Sequence, residues 1–342
     1  MTNLQFQQPP LQVSVLEAQA DESGELLTIK PANTWLQDAS KRPVPKMLFD
    51  KFWFEGELCI LFADSNVGKS ILAVQIGNSI NTGEAIGPFV LESEPQPVLY
   101  CDFELTEKQF EARYSDNYQN HYAFTDYFYR AEMNPDSDPQ NGFATFDEYL
   151  IAELERGITE TGVKVIIIDN LTYLRTETEQ AKNASSLMKQ LKALKNYYGL
   201  SLLALAHTPK RDLSQQITVN DLQGSKMLMN FCDSAFTIGQ SSANKDLRYL
   251  KQIKQRNTGQ VYGHTNICLC RVDKPTNFLQ FEFVNYGNEL DHLRKASERL
   301  DEARIDEAVQ LKLEGKSLRQ IAKIMDISFQ KVDRLIKASN RS

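Results

Sequence analysis

The 342-residue sequence predicts an α/β fold, in which a mainly parallel central sheet flanked by helices is followed by a small all-α domain. Short apolar, β-branched runs alternate with helix-like stretches, as expected of parallel strands that helices cover on both faces. A glycine-bearing loop, residues 64–68, joins the first of these runs to a helix-like segment. The last residues, 301–342, are charged and have helical periodicity.

We expect four parts along the chain. Residues 1–30 are polar and Gln-rich and are interpreted as a flexible or partner-docking arm. Residues 31–286 form the α/β domain, 287–300 a linker and 301–342 the helical domain. The predicted strands of the α/β domain are 58–63, 98–102, 163–169, 200–207, 234–238, 248–254, 266–271 and 278–284. The later strands are closely spaced, which predicts antiparallel additions at one edge of the sheet.

Composition excludes several classes of protein. The chain is 42% apolar and 24% charged, and its 16 Gly and 12 Pro are too few for a low-complexity or collagen-like protein. No run approaches the ~18 apolar residues of a membrane span, and the polar start lacks a signal-peptide pattern, so we expect a cytoplasmic protein without a membrane partner. Five scattered cysteines without a Cys-x-x-Cys pair favour neither a disulfide framework nor a zinc site.

Charge is unevenly distributed along the chain. The net charge of −7 argues against a general polyanion binder. Residues 316–342 nevertheless contain seven basic and two acidic residues. This basic end of an acidic protein indicates a function of its own.

The strongest motif is ADSNVGKS, residues 63–70, which lies between the apolar run LCILF and the helix-like segment ILAVQIGNSI. A tight loop at a helix N-terminus gathers the backbone N–H donors that bind a polyphosphate, as in a Walker A motif. Lys69 is expected to reach the β- and γ-phosphates of ATP, and the Ser70 hydroxyl to join the Mg²⁺ shell. Ala63 replaces the first glycine of the motif, and its methyl is expected to strain the turn. The predicted nucleotide-binding residues are Asp64, Ser65, Asn66, Val67, Gly68, Lys69, Ser70 and Ile71.

Asp169 ends the apolar run VKVIIID, and a buried carboxylate beside the P-loop strand is costly unless it serves a cation. We therefore expect Asp169 to hold magnesium through water. Asn170 follows it, where many P-loop ATPases have the glutamate that polarises the attacking water, so the base must lie elsewhere. Glu104, at the end of the strand VLYCDF, is predicted to orient and deprotonate water. Asp102, on the same strand face, remains a rival.

The phrases LFADSNVGKS, LYCDFE, VIIIDNL and LLALAHTPK occur in the order found in RecA-fold ATPases, and this resemblance covers residues 31–286. Together they look most like the RepA-type AAA-family ATPases of plasmids, phages and mobile elements, relatives of the DnaB replicative helicases. The resemblance implies a RecA-like core, hydrolysis of ATP with Mg²⁺, and a homo-oligomer, possibly a hexamer. It also implies that His207 senses the γ-phosphate, although a strand-end histidine is often only structural.

The same resemblance suggests contacts with DNA and with a neighbouring subunit. Loops after the His207 strand face the channel of RecA-fold rings, so Lys210, Arg211 and Lys226 are candidate contacts to single-stranded DNA. A solvated surface loop is the alternative. Lys254 and Arg256 resemble a Lys-x-Arg finger pair that enters the neighbouring subunit's site. A charged edge strand protected against aggregation would have the same pattern.

Residues 301–342 resemble resolvase-type helix-turn-helix domains, whose last helix enters the major groove of duplex DNA. Apolar residues with the spacing of such a core are Ile321, Ala322, Met325, Ile327, Val332 and Leu335. The outward candidates for DNA contact are Gln330, Lys331 and Arg334. Asp326 stands where the turn usually has glycine. A helical hairpin that binds protein is the alternative.

These observations favour an oligomeric, DNA-dependent ATPase, helicase- or translocase-like, acting in replication or maintenance of a plasmid, phage or mobile element. The alternative is a DNA-binding regulator or loader that uses ATP as an assembly switch with little turnover. A P-loop kinase of small molecules is disfavoured, because the sequence has the helical tail and shows no evident acceptor pocket near Glu104.

Overall fold

The computed structural model describes residues 27–134, 142–143, 145–171, 182–209, 211–222 and 225–339. It divides into an N-terminal unit that ends at Pro45 and a larger unit that begins at Lys46. The N-terminal unit contains helix α1 (Ala32–Ser40), which buries none of its residues. Lys30 forms an ion pair of 3.2 Å with Asp38 in this helix.

The larger unit is built on a nine-stranded sheet, with two additional two-stranded ribbons. In chain order the strands are β1 (Met47–Phe49), β2 (Trp53–Phe54), β3 (Leu58–Ala63), β4 (Val98–Asp102), β5 (Ser115–Asp116), β6 (Asn120–His121), β7 (Phe128–Glu132), β8 (Val165–Asp169), β9 (Ser201–His207), β10 (Ser234–Gln240), β11 (Leu247–Lys254), β12 (Ile267–Asp273) and β13 (Gln280–Gly287). The sheet order is β13-β12-β11-β10-β3-β9-β8-β4-β7. The strands from β10 to β7 are parallel, and β11 to β13 are antiparallel additions at one edge, as predicted.

Helices cover both faces of this sheet. They are α2 (Lys69–Thr82), α3 (Glu107–Arg113), α4 (Phe146–Thr161), α5 (Lys182–Tyr198) and α6 (Ser225–Phe231). Strand β3 alternates between the two faces: Leu61 packs in the core with α2, and Ile60 packs in the core with α4 and α5. The apolar run of this strand is unbroken because both of its faces are buried.

Three helices form the end of the described chain: α7 (Ala296–Leu313), α8 (Leu318–Ile324) and α9 (Phe329–Ser339). The Ser317 hydroxyl caps α8, and Asp326, in the turn before α9, has a φ of +50°. Aspartate tolerates this left-handed conformation better than most residues, which explains how the turn forms without a glycine at this position. The buried core consists of Ala308, Ile321, Val332, Leu335 and Ile336, and the predicted Ala322, Met325 and Ile327 pack against it.

Some features differ from the sequence predictions. The short strands β1, β2, β5 and β6 were not predicted. Strand β7 was not predicted, since it is a half-exposed edge strand without the apolar run of the inner strands. The predicted linker, 287–300, begins with a short 3-10 helix, Glu289–His292, that is packed on the sheet. The buried carboxylate of Glu289 accepts the Ile217 backbone N–H at 2.8 Å and pairs with the Lys251 ammonium. Within the described residues, no helix combines the length and apolar character that crossing a membrane requires.

Candidate active site

The glycine-bearing loop lies at the carboxyl end of β3, and α2 begins directly after it at Lys69. Gly68 has a φ of +104°, in the left-handed region that favours glycine. A Cβ atom at this position would lie 2.9 Å from the Phe281 ring of β13. Glycine is therefore required here both by the backbone conformation and by the close approach of β13.

Ala63 is accommodated without the strain that its position in the motif predicted. It is the last residue of β3, is buried, and pairs in register with His207 of β9 and Ile238 of β10. It is not among the residues with positive φ. The methyl fits here because the chain at this point is still regular strand, and the left-handed conformation falls later, at Asn66 and Gly68.

The Lys69 ammonium lies inside the turn of the loop, with only 6% of the residue exposed. It donates to the carbonyls of Ala63 at 3.0 Å and Asp64 at 2.9 Å, and lies 3.1 Å from Nδ1 of His207. Burial lowers the pKa of Lys69, and the negative charges of Asp169, Glu104 and Asp64 oppose this effect. Because an ammonium can only donate, Nδ1 of His207 accepts in this contact. Nε2 of the same ring lies 3.0 Å from the side-chain amide nitrogen of Asn170.

Asp169 is completely buried at the end of β8. Its Oδ2 accepts the Tyr100 hydroxyl at 2.7 Å, whereas its Oδ1 has no hydrogen-bond partner among the described residues. Burial raises the pKa of Asp169 to about 6, although the hydroxyls of Ser70 and Tyr100 oppose the rise. A buried carboxylate oxygen without a donor, beside the Ser70 hydroxyl, fits a Mg²⁺ ion.

A magnesium ion at this position would need further ligands. No group of three or more His, Cys, Asp or Glu side chains in the described part of the chain could hold a metal ion. Ser70 and Asp169 would therefore share the ion with phosphate oxygens and water, which is the usual arrangement of Mg²⁺ in phosphoryl-transfer sites.

Glu104 lies just beyond β4, close to the residues that end or follow β8 and β9. Its Oε1 accepts the side-chain amide of Asn170 and lies 3.4 Å from Nε2 of His207. The contact with His207 lowers the pKa of Glu104, so this carboxylate is an ionised acceptor near neutral pH. About a third of its side chain, 35%, remains exposed, so water can reach it.

Asp102 has a different environment from Glu104, although both were candidates for the base. Asp102 is buried, and its Oδ2 accepts Arg130 Nε at 3.0 Å. Its Oδ1 accepts the backbone N–H groups of Glu104 at 3.2 Å and Leu105 at 2.9 Å. Both oxygens of Asp102 are engaged, and this leaves Glu104 as the better-placed candidate for the base.

Of the three predicted DNA-contact residues after β9, the structure describes the side chain of Arg211. Lys210 is outside the described residues, and Lys226 lies in α6 with its side chain outside them. The Arg211 side chain is only 6% exposed and lies 3.7 Å from the Asp64 carboxylate, which also accepts the Thr208 hydroxyl. Arg211 therefore points toward the P-loop and not into solvent, because Asp64 offers it a countercharge.

Lys254 and Arg256 lie away from this chain's own P-loop. Lys254 pairs in register with Ala235 at the start of β10, whereas Ala63 pairs with Ile238 further along the same strand. The Lys254 ammonium donates to the carbonyls of Met229 and, at 2.8 Å, Cys232. Arg256 donates to Asp233 at 3.0 Å. The pair thus lies toward the amino end of the parallel strands.

The outward residues of α9 are placed as the helical pattern predicts. Gln330, Lys331 and Arg334 are exposed, and neither cation has an ion-pair partner among the residues that the structure describes. Lys337 of the same helix pairs with Asp333 at 2.7 Å.

Sequence reasoning missed four residues around this site. Tyr100 and Asn170 flank the predicted acids, so their polar groups beside buried strand ends were available signals. Thr208 directly follows the candidate sensor. Nothing in the sequence pattern indicated the contact of Arg130 with Asp102, because the two residues are 28 positions apart and Arg130 lies on a strand that was not predicted.

Comparison with known proteins identifies the family. A family model described as an AAA domain matches residues 23–212, which is more than half of the chain. The match includes the P-loop, Glu104, Asp169 and His207. No curated protein matches the sequence. The large, mainly parallel sheet with flanking helices is consistent with a P-loop NTPase core. The chain belongs to this AAA domain family of P-loop ATPases.

Proposed function

We propose that this protein hydrolyses ATP with magnesium and couples hydrolysis to work on DNA. The observation that carries the proposal is the meeting of Lys69, Glu104, Asp169 and His207 where four adjacent parallel strands end. Phosphoryl transfer to water depends mainly on positioning and charge stabilisation, and these side chains can supply both.

In the proposed reaction, Glu104 orients a water molecule and accepts a proton from it as the water oxygen attacks the γ-phosphorus. The bond between the γ-phosphorus and the oxygen that links it to the β-phosphate breaks, giving ADP and phosphate. Lys69 stabilises charge on the β- and γ-phosphate oxygens, for which it must exchange its present carbonyl partners. Bound Mg²⁺, held by Ser70 and Asp169, would neutralise phosphate charge.

His207 is the proposed γ-phosphate sensor. It lies between Lys69 and Glu104, so one imidazole contacts both the phosphate-binding cation and the base. Any displacement of Lys69 or Glu104 by the nucleotide changes the hydrogen bonds of His207. The following residue, Thr208, bonds Asp64 of the P-loop and would carry the change into the next loop.

We further propose that the active form is a homo-oligomer, possibly a hexamer. Lys254 and Arg256 lie toward the opposite end of the strands from this chain's own P-loop, so as fingers they would have to serve a neighbouring subunit. Hydrolysis per subunit should then rise with protein concentration. A rate per subunit that stays constant across the monomer-to-oligomer range would contradict fingers supplied by a neighbour.

For DNA, we propose that α9 binds duplex through Gln330, Lys331 and Arg334, and that Lys210 and Lys226 contact single strands in a ring channel. Arg211 is a weaker candidate, since it is buried against Asp64. A helicase- or translocase-like role in replication or maintenance of a plasmid, phage or mobile element is the specific form of this proposal.

The test is steady-state ATP hydrolysis at low salt, with and without single-stranded and duplex DNA, using Lys69→Ala as the blank. Stimulation by single strands is expected of a ring motor. If nucleotide binds but turnover stays negligible with either DNA, the motor proposal fails. Lys331 and Arg334 of α9, which are exposed and have no ion-pair partner within the described part of the chain, would then favour the alternative, a DNA-binding regulator or loader that uses ATP as an assembly switch.

A further inference from the structure

Arg130, on the edge strand β7, has no part in the reaction proposed above. We propose that Arg130, acting through Asp102, is a positioning residue that holds Glu104 in its reactive place. The inference rests on the proposed ATP hydrolysis and identifies what fixes the base.

The two side chains hold the backbone on which Glu104 is carried. Asp102 accepts the N–H groups of Glu104 at 3.2 Å and Leu105 at 2.9 Å through one oxygen. Its other oxygen accepts Arg130 Nε at 3.0 Å, and Arg130 Nη2 donates to the Leu105 carbonyl at 2.8 Å. The peptide groups around Glu104 are therefore bound from both the N–H and the carbonyl side.

The guanidinium of Arg130 is itself immobilised. It lies 4.9 Å from the centroid of the Phe110 ring, and its Nη1 is 3.0 Å from Glu132. Only 18% of its side chain is exposed, and the Asp102 side chain is completely buried. Because a planar guanidinium directs its donors in fixed directions, it can serve Asp102, Leu105 and Glu132 at once, which a lysine ammonium on a flexible stem cannot reproduce.

The contacts of Arg130 end at the base and do not reach the phosphate-binding loop. Lys69 is held by Ala63, Asp64 and His207, and none of these residues forms a hydrogen bond with Arg130 in the described part of the chain. Loss of the Arg130 hydrogen bonds to Asp102 and Leu105 should therefore misplace Glu104 and leave nucleotide binding intact. A shift of about 1 Å in a catalytic group can lower the rate by roughly 100-fold.

The test uses the full chain and the variant Arg130→Lys, which keeps a positive charge beside buried Asp102. We expect kcat to fall about 10- to 100-fold, with KM for ATP and nucleotide affinity unchanged within about twofold. The matched control is Arg156→Lys in α4, where an exposed arginine also pairs with two glutamates, Glu153 and Glu160. Its kcat should not change.

A second comparison separates positioning from general damage. In a Glu104→Gln background the base is already absent, so adding Arg130→Lys should lower the remaining rate by less than about twofold. An equal fall in both backgrounds, or an unchanged kcat in Arg130→Lys alone, would overturn the inference. If Arg130→Lys does not fold, Asp102→Asn gives the same comparison. Absence of hydrolysis by the wild-type protein would instead refute the proposed function.

Discussion

The strand ends around the P-loop and the three C-terminal helices differ in what they bury: charged groups in the first region and apolar side chains in the second. At the strand ends, the charged groups of Lys69, Asp102 and Asp169 are buried and held by specific hydrogen bonds. In the C-terminal helices the buried residues are apolar, and the cations of α9 are exposed. Burying charge costs free energy, which is offset only in precise geometry, whereas an apolar core needs mainly volume. The first region should lose its function after small chemical changes, and the second should lose its fold after loss of core volume. Added salt should weaken only the proposed DNA contacts of the exposed cations.

The strongest loss of activity is expected from a change confined to the strand ends around the P-loop. Glu104→Gln removes the base but keeps the size of the side chain, so kcat should fall by about 10² to 10⁴ while ATP still binds. Glu107→Gln, three residues later and exposed, is the matched control. Steady-state hydrolysis and nucleotide-binding titrations check both. Unchanged turnover in Glu104→Gln would remove this residue from the proposed reaction.

A change confined to the three C-terminal helices should have the next strongest effect. Ile321→Ala empties part of a five-residue buried core, which should cost about 2–5 kcal/mol of the stability of these helices and abolish duplex DNA binding. Basal ATP hydrolysis should not change. Ile324→Ala in the same helix is the control, because Ile324 is 51% exposed. Duplex binding that survives Ile321→Ala, in a sample whose helices have melted, would place the DNA site elsewhere.

A smaller effect is expected on the free energy of unfolding, because burying the Asp169 carboxylate costs stability. Because burial raises the pKa of Asp169 to about 6, the folded protein holds this proton more tightly than the unfolded chain. The resulting stability is present at low pH and is lost as the pH rises through 6. In EDTA, Asp169→Asn should therefore stabilise the protein more at pH 8 than at pH 5, by no more than about 3 kcal/mol.

Thermal unfolding at the two pH values measures this difference directly, and effects of other ionisable groups largely cancel between wild type and variant. The same substitution should abolish hydrolysis. A stability gain that is equal at pH 5 and pH 8 would mean that the Asp169 pKa is not raised.

A weaker effect is expected on the salt dependence of duplex DNA binding. Lys331→Ala with Arg334→Ala should make the dependence of log affinity for duplex DNA on log salt shallower by up to about 2, since each lost phosphate contact removes about 0.9. Lys312→Ala, exposed at the end of α7, is the control. An unchanged slope would mean that α9 does not contact the phosphates.

The sequence was informative where a residue's role depends on its neighbours along the chain. The P-loop, Asp169 and Glu104 each stand at a strand end, and the continuous apolar runs located those ends. The Arg130 contacts with Asp102 and the Arg211 contact with Asp64 depend on which strands and loops are adjacent in space. The spacing of Lys254 and Arg256 was likewise visible, but their position along the sheet required the register of β10 with β3 and β11.

The extent of the sheet has a practical consequence for work with shorter fragments. The AAA domain match ends at residue 212, yet β3 pairs with β10, which lies beyond it. A polypeptide cut at residue 212 would leave the backbone of β3 unpaired along one side and would lack the Phe281 ring against Gly68. Unpaired strand edges promote aggregation, so such a fragment should precipitate where one extending through Gly287 stays in solution. Limited proteolysis followed by mass spectrometry would show this boundary, with the smallest resistant core ending beyond β13.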